Sequence, residues 1–306
     1  MNPAVVTWGR GPALVALTAS LAEAGLAVRE VWCENDVESL QSPSDRPCQE
    51  AAPAAAWRGG MRDATTLLQR LDGLPDVALI AEVFVSMRIA DRVLQRVPIM
   101  NVHPALLPRY RGAHPLPWQI ICGETHSGVT FHLATREVDA GPILHVAPFS
   151  IGNDDNYGQV FARVLDVIRR ESGTAVRRFL AGEIQPREQN HEAATFVVKR
   201  SPDDGWIDWR ASAQSVRNLV RALTPPLPGA WARWNGRHVI LDEVAVDMRF
   251  SAYVGRTCGQ VAILGDALGI LTGDAAIVPL RVRDAATGED VTSAIRVNDR
   301  FSGALS

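Results

Sequence analysis

Apolar and polar positions change in blocks along the first half of the chain, and the blocks predict strands and helices in turn. Residues 4–8 (AVVTW) are a short apolar run, the length of a buried strand. Gly9-Arg10-Gly11-Pro12 breaks it, and Pro12 suits the first turn of a helix, where its missing N–H goes unused. That helix should run over 13–24 and stop at Gly25, with a second strand over 27–33. Residues 41–60 are rich in Pro, Ser, Ala and Gly and read as a loop. Helical spacing returns over 63–71. An apolar strand broken only by Glu82 follows over 76–85, then a helix over 89–97 and a strand over 99–102. Further strands are expected over 131–133 and 143–146. A long amphipathic helix over 156–180 carries Val160, Phe161, Val164, Leu165 and Ile168 on one stripe.

The pattern changes after Gln189. Residues 200–205 (RSPDDG) form a turn-rich joint, and a helix is expected over 212–223. Pro225, Pro226 and Pro228 come next, then short strands over 230–234, 238–246, 259–264, 269–272 and 277–282. Strand–helix alternation predicts a mostly parallel sheet with helices on both faces, and short strands with Gly and Asp turns predict a small barrel or sandwich. The 306 residues have room for both at roughly 100–200 residues per domain. The expected fold is therefore α/β: a Rossmann-like domain over 1–190, a linker over 191–210 and a barrel-like β domain over 211–306.

Composition narrows the classes. No apolar run reaches the roughly 18–20 residues that span a bilayer, and the N-terminus lacks a basic n-region, so the expectation is a cytoplasmic protein without a membrane span. The net charge is −3, and residues 201–306 hold 11 basic against 12 acidic side chains, so no positive field invites nucleic acid. Lys199 is the single lysine among 31 basic residues, which reads as codon bias. Cys33, Cys48, Cys122 and Cys258 are scattered without C-x-x-C spacing and read as reduced thiols.

Several familiar sites are missing. The Gly9-Arg10-Gly11 turn has Leu14 where a dinucleotide fingerprint needs its third glycine, and no ribose-binding acid stands in register. There is no G-x-S-x-G elbow and no Walker loop. The pairs His126/His132 and His103/His114 lack metal-ligand spacing, so no metal is expected. The informative stretch is 99–144. Asn101 and His103, two apart on a strand, project to one side at its carboxyl end, where open parallel sheets bind ligands. Asp139 lies in a turn between two further strands. An amide, an imidazole and a carboxylate together suit acyl transfer: His103 as base, Asp139 to hold and tune it, Asn101 to stabilise an oxyanion. The spacing leaves a second reading open, in which Asn101 and His103 cap the next turn and Asp139 closes a loop.

The block Asn101-Val102-His103-Pro104-Ala105-Leu106-Leu107-Pro108-Arg109-Tyr110-Arg111-Gly112 closely resembles the signature of folate-dependent formyltransferases, with Ala105 where the family has Ser. Gly128-Val129-Thr130-Phe131-His132 and Asp139-Ala140-Gly141-Pro142-Ile143-Leu144 resemble its second block, and the likeness continues to Pro228-Gly229-Ala230. The resemblance implies N10-formyltetrahydrofolate as co-substrate, no metal, and Asn101, His103 and Asp139 as the catalytic trio. It also implies one folate wall built from Phe84, Ser86, Met87, Arg88 and Ile89, and an opposite wall over 136–139 that includes Val138. Arg111 and Arg200 are then expected to meet the acceptor. Residues 200–209 are most similar to the formyltransferase domain that modifies UDP-4-amino-4-deoxyarabinose, although Ala113-His114 stands where that enzyme has a further Arg. The near-neutral charge, and the lack of a G-T-P-x-F start, favour a nucleotide-linked amino sugar as acceptor over another small amine or methionyl-tRNA. A homodimer through the second domain is a further expectation from the family.

Overall fold

The computed structural model describes residues 3–34 and 55–303; Cys48 and most of the expected loop at 41–60 lie outside the described residues. The chain packs as two compact units. The first holds the described residues up to Pro115 with His126–Ser150 and Phe161–Val198; the second holds Leu116–Thr125, Ile151–Val160 and the described residues from Lys199 onward.

The first unit is built on a seven-stranded sheet in the order β3-β2-β1-β4-β5-β7-β8. Its strands are β1 (Ala4–Gly9), β2 (Ala27–Cys33), β3 (Ala56–Arg58), β4 (Val77–Val83), β5 (Ile99–His103), β7 (His126–Leu133) and β8 (Ile143–Ser150). The five strands from β3 to β5 run parallel, while β7 and β8 pair antiparallel, so the sheet is mixed at one edge. Every residue of β1 is buried, as a central strand covered on both faces requires.

One face packs Trp8, Trp32, Ile80 and Ile99 against Leu67 and Leu71 of helix α2 (Ala64–Asp72) and Val93 of the single-turn α3 (Asp91–Leu94). Asp63 caps α2, accepting from the N–H groups of Thr65 and Thr66 at 2.9 Å each. On the other face lies α1 (Gly11–Glu23), where Thr7 and Thr18 share a buried hydroxyl hydrogen bond of 2.8 Å. The long α5 (Tyr157–Leu180) meets α1 at Gly173, whose N–H donates to Ser20 Oγ at 2.9 Å. A Cβ at Gly173 would collide with the Ser20 carbonyl, so glycine sets that helix spacing.

Three expectations change. The helix expected over 89–97 is one turn long, because Val97-Pro98 commits the chain to β5. Part of the expected loop is strand: β3 adds to the sheet edge, with Arg58 Nε donating to Glu30 Oε1 of β2 at 3.2 Å. A two-stranded ribbon of β6 (Arg111–Gly112) and β9 (Phe196–Val197) escapes any periodicity argument, since each strand has two residues.

The second unit carries α4 (Pro115–Ile121) from Leu116, α6 (Ala213–Ala222) and a six-stranded antiparallel sheet in the order β12-β13-β14-β11-β10-β15. Its strands are β10 (Ala230–Trp234), β11 (Arg237–Asp247), β12 (Val261–Leu264), β13 (Ala267–Leu271), β14 (Ala276–Asp284) and β15 (Phe301–Ser302). The two outer edges come together: Phe301 N–H donates to the Gly259 carbonyl at 2.7 Å and Val261 N–H to the Asp299 carbonyl at 2.9 Å. That bridging makes the sheet barrel-like and leaves little open edge. Trp209, Val216, Leu241, Ile270, Ile277 and Phe301 are among its buried core. No helix among the described residues is long and apolar enough to cross a membrane.

The first turn of the sheet gives a direct test. A Cβ at Gly9 would strike the Val83 carbonyl at the end of β4. Gly9→Ala should therefore cost about 2–3 kcal/mol, which for a chain this size is a melting-temperature drop of roughly 4–12 °C in a thermal scan. An unchanged melting temperature would mean that β1 and β4 can separate without penalty.

Candidate active site

Asn101 and His103 stand at the carboxyl end of β5, and the strand's period of two sends both side chains to one face. Pro104 follows β5, and the chain then turns so that Tyr110, at φ 61°, presents its carbonyl to His103. His103 Nε2–H donates to that carbonyl at 2.9 Å. A carbonyl oxygen only accepts, so in neutral His103 the proton sits on Nε2 and the lone pair on Nδ1. Nδ1 lies 3.5 Å from Asp139 Oδ2.

Asp139 comes from the turn after β7, with φ 51°. Its Oδ1 accepts from Asn101 Nδ2–H at 3.1 Å and its Oδ2 from the Gly112 N–H at 2.8 Å. A second imidazole completes the surroundings. His132, opposite Asn101 in the β5–β7 register, donates Nδ1–H to the Leu133 carbonyl at 3.0 Å. Its Nε2 lies 3.5 Å from Asp139 Oδ1. Burial, the largest influence on Asp139, would raise its pKa. His103, His132 and the Gly112 N–H outweigh it and hold the carboxyl well below the usual carboxylate range. For His103, burial again dominates. It lowers the imidazole below its ordinary value of 6.5 with help from His132, against the opposing pull of Asp139 and the Tyr110 carbonyl. At neutral pH the site thus holds an ionised carboxylate beside a neutral imidazole.

Holding Asp139 in place falls to a residue that no motif singled out. Gln189 is buried, and its amide donates to the carbonyls of Asp139 at 2.9 Å and Gly141 at 2.7 Å. Its Oε1 accepts from Arg111 Nε at 3.2 Å and Nη2 at 2.6 Å. Arg111 also donates to His191 Nδ1 at 3.3 Å and is itself 3% exposed. The guanidinium of Arg111, expected to meet the acceptor, here donates to the clamp behind Asp139. Gln189 lies 50 residues from Asp139, and His132 reaches it only through strand register, so neither could be found by spacing along the chain.

The two segments expected as folate walls are joined by one hydrogen bond. Phe84, at φ 57°, stacks on Phe161 with ring centroids 6.1 Å apart. Ser86 donates its N–H and Oγ–H to Glu34 Oε1 at 2.6 and 3.0 Å. Met87 and Ile89 pack partly against the core, while Val138 on the other side is 56% exposed. Arg88 Nη2 donates across to the Arg136 carbonyl at 3.2 Å. Arg200 belongs to the second unit, where its guanidinium lies over the Trp118 ring at 5.0 Å with Asp204 nearby. Among the described residues no group of three or more His, Cys, Asp or Glu is arranged to hold a metal ion.

The clamp predicts a stability cost. Gln189→Leu would leave the Asp139 and Gly141 carbonyls unpaired and take from the buried Arg111 the amide oxygen it shares between Nε and Nη2. Chemical denaturation should report a loss of about 2–4 kcal/mol. A loss below about 0.5 kcal/mol would mean that the turn holds itself.

Two family models match the chain: formyl transferase over residues 2–172 and formyl transferase, C-terminal domain, over residues 199–293. Among solved structures, HypX from Aquifex aeolicus in complex with tetrahydrofolic acid is similar at 20% identity and a TM-score of 0.63. That match covers 94% of this chain and 45% of HypX, so the chain spans less than half of that relative's length. The N-formyltransferase from Helicobacter canadensis, in complex with folinic acid and dTDP-3-aminofucose, is similar at 16% identity and a TM-score of 0.66, with 91% and 99% covered. The methionyl-tRNA formyltransferase from Clostridium thermocellum is similar at 13% identity and a TM-score of 0.56, with 80% and 93% covered. With one model spanning more than half of the sequence and a second following it in order, the chain belongs to the formyl transferase family.

Proposed function

We propose that the protein transfers a formyl group from N10-formyltetrahydrofolate to the amine of a small acceptor, an amino sugar carried on a nucleotide. The observation that carries the chemistry is the arrangement of Asn101, His103 and Asp139 about one buried carboxylate. Asn101 gives one amide hydrogen to Asp139 and keeps the second for the formyl oxygen as that oxygen gathers negative charge. One such donor contributes about 2.7–4 kcal/mol against the barrier of an acyl transfer. His103 is the base, and its free lone pair makes Nδ1 the atom that takes the proton from the attacking amine. The Tyr110 carbonyl fixes the ring and its tautomer, while Asp139, 3.5 Å from Nδ1, stabilises the imidazolium as it forms. The loops 84–89 and 136–139 offer half-exposed apolar side chains bordered by main-chain polar groups, which suits a flat heterocycle with hydrogen-bonding edges.

The acceptor class rests on charge and on likeness. A tRNA acceptor calls for several Lys/Arg–phosphate contacts, and its binding weakens with salt by about 0.7–0.9 log units per phosphate. Residues 201–306 offer 11 basic against 12 acidic side chains. A relative matched over 99% of its own length was solved with dTDP-3-aminofucose. Arg200, whose guanidinium lies over the Trp118 ring, is the residue offered for an acceptor phosphate.

Three measurements test this reading. A panel of nucleotide-linked amino sugars, free amino acids and initiator methionyl-tRNA, assayed with N10-formyltetrahydrofolate, should give formamide with an amino sugar and a KM nearly independent of salt. Tight, salt-sensitive use of the tRNA would reassign the acceptor. His103→Ala should lower kcat by about 10²–10⁴-fold with folate binding retained; near-normal turnover would remove His103 from the role. The pH profile of the wild type should have its acid limb below 6.5, because His103 must be neutral to act and burial lowers its pKa. Asp139→Asn removes the charge that raises His103, so the limb should move further to acid while kcat falls. A limb moving to alkaline pH would contradict this placement of Asp139.

A further inference from the structure

The trio leaves one demand unmet: the nitrogen that loses its formyl group needs a proton. Glu82 interrupts an otherwise apolar strand, β4, and sits in register with Asn101 on β5 and with Trp8 on β1. It is 4% exposed, and among the described residues its carboxyl group makes no hydrogen bond and no ion pair. An acid buried that deeply with no cation beside it is costly to keep charged. Burial, the largest influence, and the carboxylates of Asp139 and Glu34 push its pKa well above the usual range. Its protonated form is therefore favoured, one strand away from Asn101. The other charged groups around it are tied to those neighbours. Arg10 lies 4.0 Å from Glu34, Arg62 donates to the Glu34 carbonyl, and His103 and His132 flank Asp139. Glu34 also anchors Ser86, so Glu82 lies on the side of the site where the formyl donor is expected to bind.

The geometry points to Glu82 as the acid that protonates the leaving nitrogen of the formyl donor, a role that rests on the formyl-transfer reading above. The step balances. The acceptor nitrogen bonds to the formyl carbon and gives its proton to His103 Nδ1. The bond from the formyl carbon to the donor nitrogen breaks, and the electron pair left on that nitrogen takes the Glu82 proton. Once the product has left, the imidazolium of His103 returns its proton through solvent to the Glu82 carboxylate, and no proton is gained or lost. Two groups with opposite starting states divide the work, His103 without the proton it will take and Glu82 with the proton it will give, so neither must act as both base and acid in one passage.

Glu82→Gln is the test, because the amide keeps shape and neutrality but has no proton to give. The variant should melt like the wild type and bind tetrahydrofolate as tightly, while kcat falls by about 10²–10⁴-fold. Infrared difference spectra of the wild type against Glu82→Gln at neutral pH should show a protonated carboxyl band that shifts when tetrahydrofolate binds. Wild-type turnover in Glu82→Gln, or the absence of that band, would overturn the assignment of Glu82 alone. A wild type that neither binds tetrahydrofolate nor forms a formamide would bring down the transfer reading, and this one with it.

Discussion

The site is organised around one buried carboxylate that must stay ionised. Asp139 is withdrawn from water, and burial alone would protonate it. What reverses this is a set of neighbours drawn from separate parts of the chain: the Asn101 amide and His103 ring on β5, His132 on β7 and the Gly112 N–H on β6. Each alone is a modest contact; together they fix a negative charge beside the His103 ring. Most of the surrounding polar structure serves that placement, including the buried Gln189–Arg111 pair that grips the backbone of the turn.

Holding these groups so closely uses backbone conformations that side chains usually avoid. Phe84, Tyr110, His114 and Asp139 all have positive φ, and three of the four border the site directly. Such residues cost of order 1–3 kcal/mol each and persist where packing and hydrogen bonds over-determine them. Tyr110 shows the use of that cost: its unusual turn delivers the carbonyl that selects the His103 tautomer. The sheet edge has a matching constraint. Gly128 on β7 leaves no room for a Cβ between Leu106 and the Ala147–Pro148 backbone, so the loop after β5 and the strand carrying His132 pack at close range.

Two carboxyl groups, on Asp139 and on Glu82 of the strand beside Asn101, are pushed in opposite directions. Asp139 is surrounded by donors and imidazoles that favour its charge; among the described residues Glu82 has no such partners and feels other carboxylates, which favours its protonated form. The residue types scarcely differ. Their surroundings assign one the part of a fixed negative charge and the other the part of a neutral acid.

Read along the chain, apolar blocks and breaker residues determined the α/β half, the β half and the strand that carries Asn101 and His103. These features depend on short-range periodicity, and every residue of β1 and the alternation at 101 and 103 follow it. Side-chain chemistry at that strand end, with Asp139 in its turn, suits acyl transfer but equally fits a capped turn and a closed loop, and the motif resemblance separates the two readings. What the tertiary structure decided depends on register and on loops of no fixed period. It brought Gln189 to the Asp139 turn and His132 opposite Asn101, and it placed Glu82 beside Asn101 rather than in a neutral stretch of strand. It also joined the buried Arg111 to Gln189, because the partner of a guanidinium is set by which amide oxygen the fold brings to it and not by its place in a motif.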